Sequence, residues 1–276
     1  MSTVPTVAEP SRLLSAGRLR SISQINALPE EERTRVYQCL LPLDVMLRFD
    51  INLERASDDS ESSLFTVAPQ RTSVALSLRH VPEAEDPLLY LQLADTALGQ
   101  IGVVMFIVND PESDRFDTDQ LPDGTLTHFG TVRRNIEEEI RAMEAGLAPG
   151  QVRRGLRLTR DLMPGLEAFV DHLDHDTFFI EPLAYHNAVL FERMGFAYVM
   201  GLGRMEWIHR EFAPGGLLYN RLDGSTPFRR PGAHETVRGR SWAVHDGIMG
   251  TPFEGVKMHK QVGIHAGVVT FPEAPW

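Results

Sequence analysis

The chain has 276 residues, 42% of them hydrophobic and 24% charged, a composition typical of globular proteins. Acidic side chains outnumber basic ones 38 to 27, a net charge of −11, which repels nucleic acid and anionic membranes and suits a cationic partner such as an amine. No apolar run approaches the ~20 residues of a membrane helix, no secretory signal opens the chain, and the single cysteine, Cys39, forms no intrachain disulfide, so a cytoplasmic location fits.

Residues 1 to about 28 read as an arm, disordered in part or wrapped on the body. Pro29 and the run Glu30-Glu31-Glu32 mark the first turn of a helix, where acids oppose the positive end of the dipole. That helix carries Val36, Cys39 and Leu40 inward, Pro42 breaks it, and Leu43 to Phe49 continues. Cys39 therefore reads as a core thiol. Asp58 to Ser63 is a polar loop. Thr72 to His80 alternates, with Val74, Leu76 and Leu78 on one face, as a half-buried strand does. Leu88 to Ala94 and Ile101 to Val108 are two further strands, joined through Gly99. Val103 to Val108 is apolar on both faces, the mark of a central strand.

Asn109 to Thr127 is a long acidic connection without the spacing of a calcium loop. A helix follows, with Val132, Ile136, Ile140 and Met143 on one face. Arg133 with Glu137, and Arg134 with Glu138, form i,i+4 pairs, and Gly146 is its stop. A second helix is expected from Pro149 or Gly150, with Leu162, Leu166, Phe169 and Leu173 as its buried stripe and Pro164 dividing it. The stretch from 210 to 276 is rich in turns and ends in an expected strand from Gln261 to Phe271.

The segment Thr177 to Met200 is the most informative. Phe178 to Ile180 reads as a strand, closed by Pro182. Leu183 to Met194 has helical period, with Leu183, Asn187, Leu190, Phe191 and Met194 on one face. Gly195 stands where a helix stop wants positive φ, and Phe196 to Met200 returns to strand. The two strands are expected to be neighbours in one sheet.

The run Leu190-Phe191-Glu192-Arg193-Met194-Gly195-Phe196 resembles the L-Y-E-K-x-G-F signature of the GNAT superfamily of N-acetyltransferases. The resemblance covers about 25 residues. It implies an α/β fold with a mixed, largely antiparallel central sheet and helices on both faces. Residues 1–50 would be an arm and helical extension, 51–212 the acyl-CoA-binding core, and 213–276 an extension packed on the core. The implied activity is acyl transfer from acetyl-CoA or another acyl-CoA to an amine, on a small molecule or a peptide, by direct attack on the thioester. A homodimer is compatible with this reading. Two positions depart from the family pattern. The tyrosine that protonates the departing thiolate is Phe191 here, and the family's asparagine falls on Ala184, with Asn187 one turn later.

The family holds the CoA pyrophosphate on a Q/R-x-x-G-x-G/A loop at a helix start, where unpaired N–H groups and the dipole favour anions. The nearest match is Gln151-Val152-Arg153-Arg154-Gly155, one residue out of spacing. Thr127 to Arg134 is the other candidate loop. The cluster Arg153, Arg154, Arg157 and Arg160 is explained by a bound anion, or equally by pairing with Glu137, Glu138 and Glu139. The resemblance places Asn187 and Phe191 beside the acyl donor. Glu181 is the candidate base for the ammonium, Tyr185 a candidate acid in place of the missing tyrosine, and His186 and Tyr198 are alternatives.

Two other classes stand beside this one. A GNAT-like acyl-CoA-binding or regulatory protein without catalysis is favoured by Phe191 and the irregular loop. A metal-dependent enzyme would use His245, His259 and His265, with His172 and His175 as another pair. No HExxH, CxxC, G-x-S-x-G or complete Rossmann fingerprint occurs, and no metal is assigned.

Overall fold

The computed structural model describes residues 19–53, 64–128, 130, 132–156, 159–272 and 274–276. The arm up to residue 18, the loop Asp58 to Ser63, Arg157 and the side chain of Arg160 lie outside the described residues. Seven strands form one sheet: β1 (Phe65–Pro69), β2 (Ser73–Leu78), β3 (Leu89–Asp95), β4 (Ile101–Val108), β5 (Thr177–Ile180), β6 (Ala197–Met200) and β7 (Lys257–Gln261). Their hydrogen-bonded order is β1-β2-β3-β4-β5-β7-β6. The pairs β1–β2, β2–β3, β3–β4 and β6–β7 are antiparallel, whereas β4–β5 is parallel.

The helices are α1 (Ile22–Asn26), α2 (Glu30–Gln38), α3 (Leu43–Arg48), α4 (Ile136–Glu144), α5 (Thr159–His172), α6 (Tyr185–Arg193), α7 (Leu202–Glu211), α8 (Leu217–Asn220) and α9 (Val237–His245). None among the described residues is long and apolar enough to cross a membrane. The chain divides into two compact units. The first comprises Met1–Pro111, Gly155–Ile180 and Lys260–Ile264, the second Glu112–Arg154, Glu181–His259 and His265–Trp276.

In the first unit the β2 alternation is as the sequence implies: Val74, Leu76 and Leu78 are buried while Ser73, Ala75 and Ser77 are half-exposed. Within the stretch expected as an arm, helix α1 spans Ile22–Asn26. Ile22 and Ile25 of α1 are fully buried, and the start of α1 is capped from outside. Both carboxylate oxygens of Asp95 accept from backbone N–H groups, of Ile22 at 2.7 Å and of Ser23 at 2.9 Å. A carboxylate there satisfies two orphan donors and meets the positive end of the dipole. Helix α5 begins at Thr159 rather than near Gly150, and it runs through Pro164 without a break.

The second unit is built on Trp242 of α9. Its indole stacks on Phe228 at 5.2 Å and donates to the Leu147 carbonyl at 2.8 Å. Phe116, Ala142 and Leu147 complete the cluster. Helix α4 buries Glu139 and Ala142 and leaves Ile136 exposed, as is Val132 before it. The expected face of Val132, Ile136, Ile140 and Met143 is therefore rotated. The reason is the cap. Asn135 accepts from the Glu138 N–H, so Arg134 lies outside the helix, pairs with Glu139 rather than Glu138, and draws that carboxylate inward.

β6 is not the neighbour of β5, because β7 lies between them. The strand expected at Gln261 to Phe271 is instead β7, Lys257–Gln261, and the residues after it are irregular.

Candidate functional site

The feature of the first unit that invites a ligand is where β4 and β5 part. β4 pairs with β3 along its whole length, Leu89↔Val108 to Asp95↔Ile101. With β5 it pairs only at Ile101↔Phe178, Gly102↔Phe179 and Val103↔Ile180. The register slips at this level, with Gln92 opposite Met105 and Leu93 opposite Val103, so Val104 is the extra residue of a bulge. A bulge bends and twists its strand, and here the pairing with β5 also stops, because Ile180 is the last residue of β5. Val104 is 46% exposed, and Met105 to Val108 are all half-exposed despite their apolar character.

Among the described residues, β4 from Val104 to Val108 has no strand partner on its β5 side, and unpaired N–H and C=O groups recruit a partner. An extended ligand carrying amide groups satisfies such an edge by lying along it as an added strand. At the end of β4, Asn109 is buried and donates to the Leu88 and Pro87 carbonyls at 3.0 Å each. A Cβ on Gly155 would stand 3.3 Å from the Val108 carbonyl oxygen. The chain thus passes close over the end of β4 before entering α5, and a larger residue at 155 would crowd that approach.

The other candidate residues have these surroundings. Gln151 closes a turn, its Oε1 accepting from the Ala148 N–H at 2.7 Å. Arg153 donates to the Ser113 carbonyl at 2.6 Å, and Arg154 donates to the Ala145 carbonyl at 3.0 Å. These arginines tie an irregular segment together, and they stand before α5 rather than in its first turn. In the alternative loop, Arg134 is held by Glu139 at 2.5 Å and by Asp246 at 3.0 Å. Burial opposes its charge, and the two carboxylates restore it. Burial also pushes the Glu139 carboxyl up, but hydrogen bonds from His245 and Arg134 outweigh this and hold it below the usual range. Gly130 of the same loop rests on the His245 ring. The arginine of that loop is thus committed to a buried ion network.

Helix α6 also differs from its expected face. Tyr185, His186, Ala188, Val189, Phe191 and Glu192 are buried, whereas Leu183 is exposed and Asn187 and Leu190 are half-exposed. Glu192 is 1% exposed. Its carboxylate accepts from the Tyr198 hydroxyl at 2.5 Å and from the Thr270 hydroxyl and N–H at 2.7 and 3.0 Å. Gly195 has φ 86°, and a Cβ there would strike the His265 backbone at 2.9 Å, so the helix stop also seats the C-terminal segment. Arg193 donates to the Ala274 carbonyl at 2.6 Å. The signature residues of this chain therefore clasp its own tail.

Phe191 is 6% exposed, and its ring packs on Phe196 at 5.2 Å. It stands in the core, where an unpaired hydroxyl costs ~1–3 kcal/mol. Phe191→Tyr should therefore lower the unfolding free energy by about 1–3 kcal/mol in a urea titration. A variant as stable as the parent would mean that the ring edge reaches water. Tyr185 is 1% exposed, and burial pushes its hydroxyl up to about 12. Glu181, by contrast, is exposed and pairs with Lys257 at 3.4 Å. His172 and His175 bond the backbone carbonyls of Ala168 and Arg20 at 2.5 and 2.7 Å. Among the described residues no group of three His, Cys, Asp or Glu side chains is placed to hold a metal.

No protein family, curated protein or solved structure matches this chain.

Proposed function

We propose that the chain is an acyl-CoA-dependent N-acyltransferase of GNAT type, taking acetyl-CoA or a related thioester and an amine acceptor. The observation that supports this most is the open β4 edge. The pantetheine arm of CoA is an extended chain with two amides and a thioester, matched to an apolar strand edge that has no strand partner among the described residues. At the end of that edge the chain passes Gly155 and starts α5, whose N-terminal N–H groups are suited to a pyrophosphate. The amine attacks the thioester carbonyl, and the thiolate departs. Phe191 offers no proton, and the Tyr185 hydroxyl is buried and weakly acidic. The thiolate therefore leaves unprotonated, which a thiol of pKa about 8.5 tolerates near neutrality. The ammonium proton goes to a carboxylate base, for which Glu181 is the candidate from the sequence. Without a general acid the reaction forgoes roughly 10²–10⁴-fold, so slow turnover is expected.

The burial of Phe191 and Tyr185 also favours a second reading, an acyl-CoA-binding or regulatory protein without turnover. The test is incubation with acetyl-CoA and a panel of polyamines and peptides with free N-termini. Release of CoA thiol should accompany a mass gain of one acetyl group on the amine. Saturable acetyl-CoA binding without thiol release would favour the second reading, and absence of binding would remove both.

A further inference from the structure

In the second unit the chain seats one of its own segments in the manner of a bound peptide. No helix or strand follows β7 among the described residues, and the segment from Thr270 to Trp276 lies against α6 and α9. Of its described residues, Thr270, Phe271 and Ala274 are buried, whereas Pro272 and Pro275 are exposed. Three of its backbone groups are bonded to the body. The Thr270 N–H donates to Glu192 at 3.0 Å. The Ala274 carbonyl accepts from Arg193 at 2.6 Å, and the Pro275 carbonyl accepts from the Val237 N–H at 3.0 Å. Side chains supply the other anchors. The Thr270 hydroxyl donates to Glu192 at 2.7 Å, and the Phe271 ring centroid lies 3.4 Å from the Arg240 guanidinium carbon. The Trp276 ring faces Arg193 at 5.5 Å. Backbone bonds that give affinity, with side-chain anchors that give specificity, are the pattern of peptide recognition.

The ions that receive this segment are oriented by the body rather than by the segment. Glu192 accepts from the Tyr198 hydroxyl at 2.5 Å. Arg240 donates to the His234 carbonyl at 2.6 Å and reaches His209 Nδ1 at 3.1 Å. A receptor whose groups are already in place loses little freedom on binding. A permanently packed segment needs no such ions, because apolar residues of similar volume are often as stable or more so. Charged walls have a different merit. They hydrate when the segment leaves, whereas an emptied apolar groove would expose its surface to water.

The approach to the segment is correspondingly slight. His265, Ala266, Gly267 and Val269 are exposed and Val268 is half-exposed. Stretches with few buried contacts open at low free energy. We propose that this groove on α6 and α9 is a peptide-binding site, occupied in cis by residues 270–276. Its partner is a peptide of the same chemistry: a hydroxyl residue, an aromatic residue and a proline in succession, with a small residue and a second proline after them. The prolines restrict the free peptide and so reduce the entropy lost on binding.

The test uses the full chain and a fluorescein-labelled synthetic peptide with the sequence from Val268 to Trp276, followed by fluorescence anisotropy. The resident segment competes, so the peptide's affinity is reduced by the fraction of groove that is open. Thr270→Val takes from the resident segment one hydrogen bond to a charged group. It should therefore tighten peptide binding about tenfold. Phe271→Ala removes the largest anchor and should tighten it further; if that variant does not fold, Thr270→Val carries the test alone. A peptide with alanine in place of its phenylalanine should bind at least about tenfold more weakly. In isotope-labelled protein, the chain's own Thr270 amide should lose its protection from exchange as unlabelled peptide is added. No saturable binding to the parent and to Thr270→Val, equal affinity in the two, or binding that leaves the Thr270 amide protected would each overturn the proposal.

Discussion

Replacing Glu139 by alanine should destabilise the protein by about 1.5–3 kcal/mol, the worth of hydrogen bonds to a charged group. The Glu139 side chain is 3% exposed and that of Arg134 21%. Glu139 also bonds His245 at 3.2 Å, and Arg134 shares Asp246 with Arg229, which lies 2.8 Å from it. Removing the carboxylate leaves Arg134 with one acid where it had two, and leaves His245 without its acceptor. Urea unfolding of parent and variant measures the difference. A loss below about 1 kcal/mol, the worth of a surface pair, would mean that the network is solvated. The same carboxyl has a pH signature. Its folded pKa lies below the ordinary value of 4.5. The stability it contributes is therefore complete above pH 4.5 and is lost as pH falls through the folded value.

Acid should weaken the fold earlier than that, through His186. Its ring is 5% exposed and shares a hydrogen bond with the Ser241 hydroxyl at 2.8 Å. Burial, with smaller contributions from His245 and Arg238, lowers its pKa from 6.5 to about 3. The sign follows from linkage. Above pH 6.5 the ring is neutral in both states and costs nothing. Below it, the unfolded chain takes up a proton that the folded chain refuses. Stability then falls by about 1.4 kcal/mol per pH unit until the folded pKa is reached, several kcal/mol in all. The check is unfolding free energy measured from pH 7 to 4 in the parent and in His186→Gln. The variant should lose one proton's worth of slope below pH 6.5. Identical slopes in the two proteins would show that His186 ionises freely in the folded state.

These sites show which parts of the molecule a sequence reveals. The β2 alternation Val74, Leu76, Leu78 and the helix at Glu30 are legible because one short window carries the whole signal. Gly195 is legible because positive φ selects glycine. β1, Phe65–Pro69, is missed because Pro69 and half-exposed residues blunt its pattern. β7 is missed for a different reason. Lys257-Met258-His259-Lys260-Gln261 carries little apolar character, and its place between β5 and β6 is a nonlocal pairing that no local window contains. The buried face of α6 departs from its apolar stripe because Glu192, His186 and Tyr185 are all drawn inward, two of them by bonds to Thr270 and Ser241, over 50 residues away. In the same way the end of the β4–β5 pairing at Val103 depends on where β5 stops, and the bulge at Val104 falls on a residue that reads as an ordinary strand position.

The stretch of β4 beyond its pairing with β5 is the basis of the proposed function, and amide hydrogen exchange tests it most directly. The protein is exchanged alone and with saturating acetyl-CoA, and the peptide spanning Val104 to Val108 is followed. Among the described residues, amides on the β5 side of this stretch have no strand partner, so some should exchange rapidly in the free protein. Acetyl-CoA lying along the edge should slow them by at least about tenfold, as a closed hydrogen bond does. Protection confined to other segments, or no change on addition of acetyl-CoA, would contradict the assignment of this edge as the acyl-donor site.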